Sequence, residues 1–70
     1  MHRTFSGWKL KEMRVLRGYS QAELAKRSGV HRYTVTRAEL GKGTPRASTL
    51  MLLADTLGVE VEDFFEEEEA

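Results

Sequence analysis

The stretch Ser20–Arg37, SQAELAKRSGVHRYTVTR, decides the fold. Its first half opens on Ser20 with Glu23 three residues on. This is a capping box, in which each side chain bonds the other's free backbone N–H at a helix start. Ala22, Leu24 and Ala25 supply apolar contacts, and Gly29 stops the helix after about two turns, a normal place for a left-handed residue. The second half is less plain. In Arg32–Arg37, RYTVTR, three β-branched residues (Thr34, Val35 and Thr36) precede an arginine. Alternation would set Tyr33 and Val35 on one face of a strand. The neighbours favour a helix: Val30, Val35 and Ala38 fit its inner side, Glu39 and Leu40 favour it, and Gly41 is a natural stop. A lone strand would also lack a partner, because nothing else in the chain reads as a strand. A weak helix former kept in a helix points to an exposed face chosen for something other than folding.

The flanking segments read as further short helices. Leu10, Met13 and Leu16 recur at helical spacing from Gly7 to Arg17, with basic residues between them and Gly18 as a stop. Ser6 or Thr4 can cap the start, and the sequence leaves both open. GKGTPR, from Gly41 to Arg46, is a loop holding the only proline. Leu50, Leu53, Ala54 and Leu57 make an apolar stripe that Gly58 ends, and Val61, Phe64 and Phe65 suggest a short last helix whose aromatics drop onto the core. The expectation is an all-α fold of five helices in one domain, residues 1–65. An acidic tail, 66–70, frays into solvent. Trp8 and Val15 lie off the first helix's stripe and either cover the core edge or form a contact patch.

Composition narrows the chemistry. Seventy residues without cysteine hold one small, marginal core and exclude disulfides and thiolate metal sites. His2 and His31 are too few for a zinc site on their own. No apolar run approaches a membrane span or a signal peptide, so a cytoplasmic location is the default and no membrane partner is expected. The zero net charge conceals a split. Residues 1–59 carry eleven Lys/Arg and four Asp/Glu, a balance of +7, and residues 60–70 carry seven acids and no Lys/Arg. Such a division suits a basic body meeting an anionic partner, or a solvated surface with a solubilising tail.

Helix, glycine turn, helix over about 20 residues is the helix-turn-helix pattern. Small Ala25 lets the second helix cross closely, and Val30, Val35 and Ala38 anchor it. Arg32, Tyr33, Thr36 and Arg37 are left on the outer side. An α-helix fits the DNA major groove, arginine can bond guanine bidentately, and threonine can offer its methyl or hydroxyl to a base edge.

The sequence resembles the Cro/repressor-type helix-turn-helix proteins, the Xre family, from about Gly7 to Phe65. The matching elements are LKEMRVLRGYSQAELAKRSGV, TVTRAELGKGTPRASTLMLLADTLGV and VEDFF. The resemblance implies a compact repressor-like domain that binds double-stranded DNA. It implies base reading by Arg32, Tyr33 and Arg37, with Thr36 secondary. It implies DNA-backbone contacts from Ser20, Gln21, Lys42 and Thr44, and a partly buried structural ion pair between Arg14 and Glu39. It also implies a homodimer joined through roughly Leu57 to Phe65.

Four positions depart from the family pattern. His31 stands where a small capping Ser or Thr is usual, so the recognition helix starts less firmly or His31 itself meets a phosphate. Leu40 replaces a polar residue. Ala38 is smaller than usual, leaving space for Trp8, Tyr19 or a phenylalanine. Glu60 stands where a capping residue is expected.

Three classes of function follow. The first is a sequence-specific transcriptional regulator, a repressor or autoregulator acting as a dimer on an inverted repeat, with no cofactor and no expected room for a ligand-sensing domain. The second is an antitoxin- or adaptor-type module whose partner, a toxin or regulator, docks on the acidic segment and exposed aromatics. The third, an enzyme, fails for want of a nucleophile–base set, a metal cluster or a phosphate loop.

Overall fold

The computed structural model describes residues 2–68. In chain order they form strand β1 (His2–Phe5) and helices α1 (Gly7–Leu16), α2 (Gln21–Ser28), α3 (Arg32–Glu39) and α4 (Ala47–Leu57). A single 3-10 turn (Val61–Phe64) and strand β2 (Phe65–Glu68) complete the set. RYTVTR is helical, as its inner anchors require. Val35 and Ala38 are buried beside Leu10, Leu24, Leu50, Leu53, Leu57 and Phe64 in one core.

Two expectations are corrected. The fold is four α-helices and a small sheet rather than five helices, since the last helical segment is only a four-residue 3-10 turn. The glutamate run does not fray over its described part. Glu66, Glu67 and Glu68 pair antiparallel with Thr4, Arg3 and His2, and Phe5 faces Phe65. The rest of the expected tail, residues 69 and 70, lies outside the described residues.

The strands meet because their side chains are complementary. Arg3 stands opposite Glu67, and the rings of Phe5 and Phe65 meet edge to face at 6.0 Å. Arg3 lies 5.8 Å over the Phe65 ring and donates to the Glu62 carbonyl, while Lys9 donates to the Phe65 carbonyl at 3.0 Å. The Ser6 N–H bonds the Phe64 carbonyl at 2.8 Å, joining the sheet to the buried Phe64.

On α1 the expected stripe is rotated. Leu10 is buried and Met13 half-buried, but Leu16 is 79 % exposed, and Arg14 takes the inward position four residues after Leu10. Trp8 and Val15 are exposed and do not cover the core edge. Ser6 is the cap, its Oγ accepting the Lys9 N–H. The space beside small Ala38 is not filled by Trp8. The α1 backbone comes close to the end of α3 at Gly7, where a Cβ would collide with the Ala38 carbonyl oxygen and stand 2.7 Å from that of Glu39. Gly7→Ala is therefore expected to push α1 off the end of α3. Forcing a methyl into a packed contact costs about 1–3 kcal/mol, so the thermal midpoint should fall by roughly 4 °C or more. An unchanged melting curve would mean that the two helices are free to separate. At the last turn the Asp63 carboxylate accepts the Glu60 N–H at 2.9 Å, so the turn is closed from its far end, without a Ser or Thr at position 60.

Candidate nucleic-acid interface

The α2–α3 pair is built as the capping chemistry predicts. Ser20 Oγ accepts the Glu23 N–H at 3.0 Å and Glu23 Oε1 accepts the Ser20 N–H at 3.2 Å. Gly29 takes φ 75°, the left-handed conformation that a side chain rarely adopts. Buried Ser28 braces the turn by donating to the Ala25 carbonyl and accepting the Val30 N–H. His31 is a working cap: its Nδ1 accepts the Tyr33 N–H at 3.1 Å, which requires the ring proton on Nε2. Helix α3 is thus capped by an imidazole in place of a hydroxyl.

Of the residues expected on the outer side, Arg32, Tyr33 and Arg37 are exposed together on α3. Tyr33 and Arg37 form a unit, with the guanidinium 5.7 Å from the ring centroid. Arg37 Nη2 also donates to the Lys42 carbonyl at 3.1 Å, tying the exposed Lys42–Thr44 loop to α3. Thr36 is different. It is half-buried, and its hydroxyl donates to Gln21 Oε1 at 2.8 Å. Gln21 Nε2 in turn donates to Glu39 Oε1 at 2.9 Å.

Glu39 is the hub beneath this surface. Arg14 grips it through Nε to Oε2 at 2.6 Å and Nη2 to Oε1 at 2.9 Å, and Arg14 Nη1 donates to the Tyr19 carbonyl. Their side chains are only 11 % and 3 % exposed. Hydrogen bonding to the carboxylate raises the Arg14 pKa above its ordinary value, against the lowering effect of burial. A raised cation keeps its stabilising charge below the unfolded value and loses it only as pH climbs through the folded one, in strong alkali. The guanidinium therefore stays charged at every ordinary pH.

Arg46, which no sequence motif singled out, is exposed where the same loop runs into α4, whose start has no side-chain cap. Among the described residues no group of His, Cys, Asp and Glu is placed to hold a metal ion, and no helix is long and apolar enough to cross a membrane.

The helix-turn-helix family model matches residues 10–64, all of this surface included. The chain belongs to the helix-turn-helix family of Cro/repressor type. An uncharacterized HTH-type transcriptional regulator of Methanocaldococcus jannaschii is 40 % identical over 57 residues, covering 81 % of this chain and 86 % of its own length. The restriction-modification controller protein C.AhdI of Aeromonas hydrophila superposes with a TM-score of 0.79 at 34 % identity, over 84 % of this chain and 89 % of that one. SinR, described as the master regulator for biofilm formation and solved in complex with DNA, superposes with a TM-score of 0.76 at 30 % identity, over 79 % and 89 %. Membership in this family makes the protein a DNA-binding transcription regulator, and its fold carries the family's helix-turn-helix on α2 and α3.

Proposed function

We propose that the protein is a sequence-specific repressor or autoregulator that binds an inverted repeat in double-stranded DNA as a homodimer. The observation that carries this is the cluster of Arg32, Tyr33 and Arg37, exposed together on a helix whose opposite side is buried. In this reading those side chains read base edges in the major groove. Ser20, Gln21, His31, Lys42 and Thr44 border the phosphates and set the register. His31 keeps a free Nε2 proton for that purpose while Nδ1 caps the helix.

Within and beside the Leu57–Phe65 segment that the family resemblance implies, the dimer contact falls on the residues left exposed. Leu57 and Phe64 are buried in the protomer's own core and are unavailable to a partner. The exposed apolar residues nearby are Met51 and Leu52 on α4, beside half-buried Val59 and Val61. A second copy meeting this face on a two-fold axis would set two recognition helices into successive major grooves about 34 Å apart. Selection from random duplex DNA tests both parts. An enriched inverted repeat is expected, and Met51→Glu should sediment as a monomer and lose preference for the full repeat over one half-site. Weak, steeply salt-dependent binding with no enriched sequence would leave only phosphate attraction and overturn the proposal.

A protein-partner reading has one observation in its favour. Trp8, Val15 and Leu16 leave an apolar face of α1 open that the DNA reading does not use. Binding to such a partner would survive substitution of Arg32 and Arg37 together, which separates the two readings.

A further inference from the structure

We infer that Thr36 is a positioning residue for DNA binding: its hydroxyl fixes the side-chain amide of Gln21, leaving an N–H of that amide for a phosphate, and it donates no hydrogen bond to a base. The inference rests on the DNA-binding reading above and assigns the division of labour within that surface.

Donors and acceptors fix the orientation of the Gln21 amide. Glu39 is an ionised carboxylate held by Arg14, so it can only accept. The end of the Gln21 amide that meets it must be the NH2, and the observed Nε2–Oε1 contact of 2.9 Å agrees. The carbonyl end then needs a donor, and the Thr36 hydroxyl supplies it at 2.8 Å. Both ends are now specified, which removes the freedom to flip that an amide otherwise has. Of the two Nε2 protons one is committed to Glu39, and one remains.

Gln21 is the first residue of α2, where the unpaired backbone N–H groups favour an anion. An amide turned the other way would offer a carbonyl oxygen to that anion and repel it. The cooperative chain from Tyr19 through Arg14, Glu39 and Gln21 to Thr36 therefore joins the buried ion pair to the DNA-facing surface. Thr36 is half-buried, and its only hydroxyl proton is committed to Gln21, so it has no donor left for a base edge.

The test compares Thr36→Val, which keeps the shape and removes the hydroxyl, with Thr36→Ser, which keeps the hydroxyl. Both are measured on the selected duplex with and without Gln21→Ala. Thr36→Val is expected to weaken binding about three- to tenfold, with the same preferred base at every position. Thr36→Ser should bind like the parent, and Thr36→Val should have no further effect once Gln21 is alanine. A changed base preference in Thr36→Val, or a loss that persists in the Gln21→Ala background, overturns the proposal.

A readout without DNA separates this outcome from failure of the DNA-binding reading. In the free protein, NMR of the Gln21 side-chain amide should show two distinct, protected protons in the parent and in Thr36→Ser, and faster exchange in Thr36→Val. Unchanged amide signals in Thr36→Val overturn the positioning role even if DNA binding is strong. A parent protein with no DNA affinity overturns the phosphate role, while the same signals still decide whether the hydroxyl orients Gln21.

Discussion

Replacing Glu39 by alanine is expected to leave most of the protein unfolded at room temperature. Removing one member of a buried ion pair strands the other, at about 3–5 kcal/mol. A core in a chain of this size rarely supplies more than about 3–5 kcal/mol in all. Arg14 would keep its bond to the Tyr19 carbonyl but lose both carboxylate contacts, and Gln21 would lose its anchor in the same step. Arg14→Ala should be at least as harmful, because Glu39 is the more deeply buried partner. The double variant Arg14→Met with Glu39→Leu is expected to recover much of the loss, since no charge is then stranded. Urea unfolding followed by circular dichroism checks the series. Single variants within about 1 kcal/mol of the parent would mean that the pair behaves as a surface salt bridge, and that water reaches it.

The second large effect is on recognition. Arg32→Ala combined with Arg37→Ala is expected to lower affinity for the selected duplex by at least about 100-fold and to relax its sequence preference. A good bidentate arginine–guanine contact discriminates by about 1–3 kcal/mol. Arg37 also ties the Lys42 loop and lies over Tyr33, so its loss should disturb both. Lys42→Ala is the contrast: as a phosphate contact it should weaken binding evenly across sequences and lower the salt slope by about one. Neither change touches the core, so melting curves should hold. If the double variant kept the same enriched sequence at the same affinity, the reading helix would have to be sought elsewhere.

The helices of this protein were legible because each has punctuation that chemistry dictates. Ser20 and Glu23, Gly29, Gly41 and Gly58 mark starts and stops. Val35 and Ala38 show the inner side of α3 despite its poor propensity. The α1 stripe was misjudged at Leu16 because periodicity counts apolar residues, and the inward place is taken by Arg14 for its bonds to Glu39, 25 residues away, and to the Tyr19 carbonyl. The sheet was not legible for a related reason. Its strands are four residues each, one is mostly glutamate, and the partners lie at opposite ends of the chain. No short window contains both, and glutamate has weak β-propensity. On the candidate interface the sequence could place Thr36 and Gln21 near the surface. It could not show that they bond to each other, because that contact depends on how α3 crosses α2.

The pairing of β1 with β2 gives the described chain an almost circular path. His2 and Glu68 stand opposite each other, so the two ends of the described stretch lie side by side. In topological terms the helices form an open ring clasped by a ribbon. Closing so long a loop is entropically unfavourable until something else holds the ends near each other. The helical core does that by burying Phe64 and bringing Ser6 to it. The ribbon is thus expected to form after the helical core and to open before it. A new break in the backbone at the exposed Gly41–Gly43 turn, with the old ends joined across the ribbon, would keep every helix of the fold in place.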